Sequence, residues 1–197
     1  MPIDASFYAR PTLDVLRDLI GLVLVHTVRG RRASGVIVEA EAYIGESDPA
    51  CHASSGPTRR NAQLYGPPGR AYVYFNYGMH YLVNAVTEPE GQPAAVLIRA
   101  LDPLEGVALM QRRRWGGRRA EASEADRHAL CRGPGNLTRA LGIDLRQNTA
   151  DLTDGPLVIE DRGIRPTRVV WSPRIGIRVG TRRRWRCHWA GHPAVSG

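Results

Sequence analysis

The chain contains no lysine, and all 27 of its basic residues are arginine. This absence excludes one class of chemistry, in which a side-chain amine attacks a carbonyl or an opened sugar and forms a Schiff base. Arginine cannot replace that nucleophile, because its guanidinium stays protonated in proteins. An enzyme with this sequence must therefore use another nucleophile.

Cysteine and long apolar runs are also scarce. The three cysteines, Cys51, Cys131 and Cys187, form an odd and widely spaced set, which argues against a disulfide framework. Histidines follow Cys51 and Cys187, but no Cys-x2-Cys pair accompanies them, so we expect no metal site. The longest apolar stretch, residues 19–25, is too short to span a bilayer, which needs about 20 residues. With no secretory signal at the N-terminus, we expect a cytoplasmic protein with no membrane contact.

Positive charge is unevenly distributed. The formal net charge is +8, and residues 162–197 hold nine arginines and no acidic residue, which leaves the rest nearly neutral. A second basic cluster comprises Arg112, Arg113, Arg114, Arg118 and Arg119. Such clusters attract polyanions by releasing condensed counterions. Charge therefore favours nucleic acid as a partner, and a merely solvated arginine surface is the alternative.

Periodicity and turn residues predict more strands than helices. Helices are predicted over about 12–20 and 104–114, with further helix starts at Ser123 and at Gly135. Strands are predicted near 22–28, 36–44, 71–75, 80–86, 94–100, 156–160, 174–179 and 185–189. The segment 47–68 predicts a long ordered loop. We expect one α+β domain, residues 1–197, with a curved antiparallel β-sheet, surrounding helices and a protruding β-hairpin.

Two carboxylates lie on one predicted strand. Alternation within residues 38–43 (VEAEAY) places Glu39, Glu41 and Tyr43 on one face of a half-buried strand. One interpretation is an edge strand with solvated acids. The other is a general base beside an aromatic ring, with the two carboxylates roughly 6–7 Å apart.

Five of the seven tyrosines lie between Tyr65 and Tyr81. Core packing accounts for only some of them, because so many hydroxyls are hard to bury with every one hydrogen-bonded. Tyr77 falls on a predicted tight turn, where a bulky side chain could wedge between base pairs. Tyr72 and Tyr74 share a strand face that could form the wall of a stacking pocket.

These features together predict an enzyme that acts on a nucleic-acid base. Such enzymes take the base out of the stack, fill the gap with a wedge and hold the base between aromatic faces. A cationic, alkylated purine is expected to bind best, because aromatic rings attract cations by about 0.5–2 kcal/mol.

Five motifs give the chain a specific family likeness: 38–43 (VEAEAY), 72–80 (YVYFNYGMH) through Asn84, 97–106 (LIRALDPLEG), 133–137 (GPGNL) and 173–177 (PRIGI). On these motifs the chain resembles the alkyladenine (3-methyladenine) DNA glycosylase family found in vertebrates and many bacteria. The resemblance extends from about Arg10 to the C-terminus.

The resemblance implies roles at a catalytic centre and a base pocket. Glu41 matches the general base that activates water to attack C1′ of the sugar. Arg99 matches an arginine near the target phosphate and that water. Four residues match the pocket, in which rings sandwich the flipped base and an amide crowds the exocyclic amine of guanine: Tyr43, His52, Tyr74 and Asn84.

The resemblance also implies a DNA-binding surface. Tyr77 matches a tyrosine that intercalates from the minor groove, and Met79 and His80 match groove contacts beside it. Gly135 and Asn136 match a helix N-terminus placed against the phosphate backbone, a natural anion site. The family often has Arg or Lys where this chain has Asn136.

The family likeness further implies hydrolysis without lyase activity, without metal and without organic cofactor, on double-stranded DNA with damaged purines. We also expect a monomer, because two-fold symmetry is not needed to find a single damaged base. The missing lysine agrees independently. Two alternatives remain open at this point. One is a nucleic-acid-binding protein without catalysis, and the other is a hydrolase of free nucleosides that uses Glu39 and Glu41 as a pair.

Overall fold

An antiparallel β-sheet organises the chain in a computed structural model that describes residues 1–116 and 123–196. Its strands are β1 (Val23–Val28), β2 (Arg31–Ile44), β3 (Ala71–Asn76), β4 (His80–Val86), β5 (Ala94–Glu105), β6 (Leu157–Glu160), β7 (Val169–Ser172) and β8 (Arg186–Trp189). The helices are α1 (Ala5–Tyr8), α2 (Thr12–Leu19), α3 (Val107–Trp115), α4 (Glu124–Ala129) and α5 (Pro134–Leu141), with 3-10 helices at His52–Ser55, Ala62–Tyr65 and Leu145–Gln147. Arg118 and Arg119 of the second basic cluster lie outside the described residues.

The long strand β2 is the centre of the sheet, whose order is β3-β4-β5-β2-β1-β6. One edge of β2 pairs with β5. The other edge is shared, because β1 pairs with its first half and β8 with Glu39–Glu41. Register shifts on both sides of Glu39 interrupt the ladder between β2 and β5. Such bulges increase the local twist and bend the strand, so β2 is bent where the two glutamates lie.

Helices cover the apolar side of the sheet. Buried leucines of α2 and α5 join the same core cluster as side chains of β2, β4 and β5. This continuous core, the antiparallel sheet and the hairpin of β3 and β4 confirm the expected fold class, a single α+β domain.

Two predicted helix starts show their capping chemistry. Ser123 caps α4 through a capping box with Asp126, as the sequence predicts. For α2, the predicted cap Thr12 is instead the first helical residue, and the Glu88 carboxylate accepts its backbone N–H at 2.6 Å. The helix predicted from 104 begins at Val107, because β5 continues to Glu105 and Gly106 turns the chain with φ +71°.

The strand predicted over 174–179 is wrong. The strand in this region is β7, and residues 174–179 form irregular bends. Gly176 has φ +77°, a left-handed conformation that breaks extended structure, and the backbone N–H of Ile175 binds a side chain instead of a neighbouring strand. Alternating arginine and apolar residues mimic a strand here, whereas the segment is a loop.

The expectation of a half-buried β2 with a polar face is also wrong. Residues 33–42 are buried throughout, because β2 is central and is covered on both faces. Glu39 and Glu41 are therefore not solvated acids on an edge strand.

Among the described residues, no helix combines the length and the apolar character needed to cross a membrane.

Candidate active site

A cavity of about 520 Å³ opens beside the centre of the sheet. The pairing of four neighbouring strands builds one wall. Leu97 of β5 pairs with Glu41 of β2 on one side and with Asn84 of β4 on the other. Asn84 in turn pairs with Tyr72 of β3. The other wall comes from loops that carry His52 and Ile175. Side chains that are distant in sequence therefore meet around one space.

The Glu41 carboxylate lies directly behind the cavity wall and is 0% exposed. Its Oε1 accepts the backbone N–H of Ile175 at 2.6 Å, and its Oε2 accepts the Tyr43 hydroxyl at 2.9 Å and Arg99 Nη1 at 3.2 Å. All three donors belong to residues that line the cavity. Because each carboxylate oxygen accepts about two hydrogen bonds, these three donors leave one lone pair of Oε1 unused.

Arg99 connects the two glutamates of β2. The register of β5 against β2 skips from Ala100 to Ile98, so Arg99 is the extra residue of a bulge. Its Nε donates to Glu39 Oε1 at 2.9 Å, and its Nη1 reaches Glu41. Glu39 also accepts Arg186 Nε at 2.7 Å and the backbone N–H of Ser196 at 2.7 Å. Glu39 thus holds arginines in place, a role that strand alternation does not reveal.

The two carboxyl groups have opposite pKa shifts. Burial raises the pKa of Glu41, against the opposing effects of Arg99, the Ile175 N–H and the Tyr43 hydroxyl. Burial also acts on Glu39, but hydrogen bonds from Ser196 and Arg186 and the charge of Arg99 outweigh it and lower the pKa. Glu39 is therefore an anion held by cations, whereas Glu41 is the one of the two that takes up a proton at the higher pH.

Aromatic rings form the cavity walls. Tyr43, His52 and Tyr74 all line it, and the rings of His52 and Tyr74 meet edge to face at 4.6 Å between centroids. The His52 Nδ1 lies 2.9 Å from the Tyr72 hydroxyl, which fixes the orientation of the imidazole. Burial and the nearby Arg60 lower the pKa of His52, so the ring is neutral near pH 7. The segment predicted as a loop carries His52 on a 3-10 helix.

Asn84 forms part of the inner cavity surface. It is buried on β4, and its Nδ2 donates to the backbone oxygen of Tyr72 at 2.9 Å. This bond fixes the amide, so its position in the cavity is determined by the β3–β4 register. Leu64, Ala95 and Leu97 add apolar surface.

The turn between β3 and β4 presents an exposed aromatic ring at the cavity mouth. Tyr77 is 84% exposed and has φ +49°, a strained conformation for a non-glycine residue. Met79, two residues later, is 70% exposed. Large apolar side chains with such exposure on a rigid hairpin are typical of a surface that contacts a partner.

The N-terminus of α5 lies against this hairpin. A Cβ on Gly135 would come within 2.6 Å of the His80 ring, so the helix backbone and His80 are in close contact. Pro134 lines the cavity. The Asn136 side chain donates to the backbone oxygen of Arg132 at 2.7 Å, and Arg139 donates to the backbone of Arg113. The structure therefore places the first turn of α5, which contains Gly135 and Asn136, against His80 of the hairpin.

Sequence reasoning assigned no role to Asp48, Arg174 and Ile175. Asp48 and Arg174 form a buried ion pair next to Tyr43, and Ile175 supplies the N–H on Glu41. The only available signal was the 173–177 motif, in which an arginine interrupts apolar residues. The three cysteines are free and buried, and within the described ranges no group of three or more His, Cys, Asp or Glu side chains is placed to hold a metal ion.

Comparisons with known proteins show the family to which the chain belongs. A chain of Chlorobaculum tepidum is 43% identical over 196 residues, which cover 98% of this chain and 90% of the relative. A chain of Methanocella arvoryzae is 45% identical over 201 residues, which cover 100% of this chain and 96% of the relative. Both carry the name "Putative 3-methyladenine DNA glycosylase". The family model described as methylpurine-DNA glycosylase matches residues 6–193. The chain therefore belongs to the methylpurine-DNA glycosylase family.

Proposed function

We propose that this protein is a monofunctional DNA glycosylase that removes alkylated or deaminated purines from double-stranded DNA and leaves an abasic site. Family membership supports glycosylase activity on DNA. The observation that carries the finer proposal is the Glu41 carboxylate, buried behind an aromatic cavity and held by Arg99, Tyr43 and the Ile175 N–H. The whole chain, residues 1–197, acts as one catalytic domain and as a monomer.

Recognition begins with removal of the base from the stack. Tyr77 enters the duplex from the minor groove and occupies the space that the flipped nucleotide leaves. The damaged purine then lies between Tyr43 on one side and His52 with Tyr74 on the other. The exposure of Tyr77 and the edge-to-face contact of His52 with Tyr74 support this placement.

The pocket selects damaged purines by charge and by shape. Alkylated purines carry a positive charge that aromatic faces attract by about 0.5–2 kcal/mol. The fixed Asn84 amide crowds the exocyclic amine of guanine, whereas hypoxanthine and ethenoadenine lack that group. The proposed substrate class is 3-methyladenine, hypoxanthine and ethenoadenine, which lack that amine, together with 7-methylguanine, which keeps it and is selected by its positive charge.

Chemistry follows from the position of Glu41. A water on Glu41 attacks C1′, the N-glycosidic bond breaks with its electron pair going to the purine nitrogen, and the water proton passes to the carboxylate. The sugar passes through an oxocarbenium-like state, next to which the Glu41 anion is stabilising. A cationic purine leaves as a neutral molecule, and a neutral purine leaves after protonation.

Two features argue against other reaction types. With no lysine in the chain, no side-chain amine forms a Schiff base at C1′, which supports a hydrolysis that ends at the abasic site. Glu39 does not serve as an acid partner of Glu41, because Arg99, Arg186 and Ser196 occupy its oxygens and its pKa is lowered. A paired-carboxylate nucleoside hydrolase is therefore disfavoured.

The test is base excision from a labelled duplex with one hypoxanthine or one 7-methylguanine, with and without alkali. We expect release of the free base and strand cleavage only after alkali. Strand cleavage without alkali would contradict the monofunctional assignment. Salt-sensitive binding with no release from any of the four lesions would instead identify a non-catalytic DNA-binding protein.

A further inference from the structure

We propose that the buried ion pair of Asp48 and Arg174 is a positioning pair, which holds Tyr43 and the Ile175 amide against the Glu41 carboxylate. This inference rests on the proposed function, because it concerns the same catalytic group. Neither residue lines the cavity, so the pair acts through the residues it contacts.

The pair is a two-pronged contact in the interior, and Arg183 Nη1 approaches Asp48 Oδ1 at 3.6 Å from the solvent side. Arg174 Nη1 donates to Asp48 Oδ2 at 2.6 Å and Nη2 donates to Oδ1 at 2.8 Å, and both side chains are 0% exposed. Nη1 also donates to the backbone oxygen of Ala42 at 3.0 Å. A buried ion pair is a weak means of stabilisation, because desolvating both charges offsets most of their attraction. Its geometry is therefore the property to explain.

Arg174 adjoins both neutral donors of Glu41, since it contacts the Tyr43 ring and directly precedes Ile175 in the chain. Its guanidinium lies 4.7 Å from the Tyr43 ring centroid and 5.2 Å from that of Trp185, so it is held between two rings. Tyr43 lines the cavity and Arg174 does not, which places the guanidinium behind the ring. Ile175 is the next residue along the chain. A displaced Arg174 would therefore move the Tyr43 hydroxyl and the Ile175 N–H together.

Asp48 connects this arrangement to the loop that carries His52. Its carboxylate accepts the backbone N–H groups of Ile44 and Ala50, both at 3.3 Å. Gly180 closes the other side: a Cβ there would lie 3.0 Å from Arg174 Nη2, and its φ is +64°. The pair thus joins three parts of the cavity wall, namely the end of β2, the His52 loop and the 173–180 segment.

Position and charge predict different effects on Glu41, and this difference makes the proposal testable. Through space, the Arg174 cation favours ionised Glu41 and the Asp48 anion opposes it. If the pair acts by positioning, loss of either partner weakens the hydrogen bonds that the Ile175 N–H and the Tyr43 hydroxyl donate to Glu41. The pKa of Glu41 then rises in both single variants. The other ionisable groups around Glu41 are Glu39, Tyr43, Tyr74, Arg99 and Arg186.

The experiment compares Arg174→Gln, Asp48→Asn and the double variant with the wild type. Arg162→Gln is the matched control, since Arg162 bridges Glu105 and Glu160 away from the cavity. We measure single-turnover excision of hypoxanthine against pH, and the Glu41 titration by 13C NMR of carboxyl-labelled protein, assigned with Glu41→Gln. We expect an excision rate about 10- to 100-fold lower, the effect of misplacing a catalytic group by about 1 Å, and a smaller change in lesion affinity. The Glu41 titration and the acidic limb move to higher pH in all three variants.

Opposite shifts of Glu41 in the two single variants would show that the pair acts through charge, and would overturn the proposal. Wild-type excision by a folded double variant would overturn it as well. If the single variants do not fold because one buried charge lacks its partner, the double variant and Arg174→Lys supply the comparison. The NMR titration does not depend on excision. An inactive wild type would refute the proposed function, whereas the pKa of Glu41 in the variants would still test whether the ion pair positions its donors.

Discussion

At the residue scale, one strand holds two glutamates with different tasks. Glu39 and Glu41 are two positions apart on β2, and both contact Arg99. The difference between them comes from their remaining hydrogen-bond partners. Glu39 also accepts Arg186 of β8 and the backbone N–H of Ser196. Glu41 also accepts the Tyr43 hydroxyl and the backbone N–H of Ile175. Sequence alternation places both on one face, but it cannot tell an anchored anion from a base.

The raised pKa of Glu41 predicts the pH dependence of excision. In the proposed mechanism the carboxylate form is the active base, so the rate is expected to fall as pH decreases through its pKa. Because burial raises that pKa above the ordinary glutamate value of 4.5, the acidic limb lies at higher pH than 4.5. Single-turnover excision of 7-methylguanine is the measurement, since that cationic base leaves without protonation. A rate that stays constant down to pH 4.5 would contradict the assignment.

Glu39→Gln is expected to reduce both stability and rate. It leaves the Arg99 and Arg186 guanidiniums without their common counter-charge, and breaking a buried pair costs about 3–5 kcal/mol. Urea denaturation measures the loss, and excision kinetics report the displaced Arg99. Glu124→Gln is the control, because that carboxylate is 86% exposed. Equal stability of the two variants would show that Glu39 does not anchor the arginines.

At the element scale, the β3–β4 hairpin and α5 form one unit. The hairpin projects Tyr77 and Met79, and the first turn of α5 packs on His80 through Gly135. The sequence predicted the hairpin and the start of this helix, because turn residues and alternation are local signals. The contact between Gly135 and His80 joins residues 55 positions apart, and it is possible only because glycine has no side chain. No local sequence pattern predicts such a contact.

Tyr77→Ala is expected to impair excision without unfolding the protein. The ring is 84% exposed, so its loss should leave the melting temperature unchanged. Excision from duplex DNA should fall on the order of 10- to 100-fold, because unstacking a base step costs a few kcal/mol that the wedge compensates. The same lesion in single-stranded DNA should be affected less. Leu145→Ala, at an exposed apolar residue elsewhere, is the control, and equal loss on both substrates would exclude a wedge.

Gly135→Ala is expected to weaken duplex binding by moving α5 away from the hairpin. The added Cβ would lie 2.6 Å from His80 Cγ, so either the helix or the ring must shift. Fluorescence anisotropy with a lesion duplex measures the affinity. Combining the change with His80→Gly removes the clash, since the Cβ of His80 would itself lie 2.9 Å from the added Cβ, so the double variant should bind like His80→Gly alone. A further loss of affinity in the double variant would show that contact with His80 does not determine the position of the α5 backbone.

At the scale of the whole molecule, the sequence predicted the fold class but not the way the chain closes around the cavity. Most strands, the hairpin and the glutamates followed from periodicity and motifs. The 173–180 loop was mistaken for a strand, and the burial of both faces of β2 was missed. Both depend on contacts across the chain, such as the Ile175 N–H with Glu41 and the pairing of β8 with β2. Local sequence patterns carry no information about contacts between residues that are far apart in the chain.

The arginine-rich surface predicts salt-dependent DNA binding. With a net charge of +8, affinity should fall linearly on a log–log plot against salt, with a slope of about −0.9 per neutralised phosphate. Arg178, at the cavity, should contribute about one such contact, so Arg178→Gln should reduce the slope by about one. Arg165→Gln is the control, because Asp161 already binds that guanidinium. Equal slopes for the two variants would place the phosphates elsewhere.

The most direct test of the central claim is single-turnover excision by Glu41→Gln, with lesion binding measured on the same duplex. Glutamine keeps the size of the side chain and can accept hydrogen bonds, but it takes no proton from water. We expect lesion affinity close to that of the wild type and an excision rate lower by about 10²–10⁴-fold, the usual contribution of a general base. Excision at the wild-type rate would show that Glu41 does not activate the water and would contradict the account of this site.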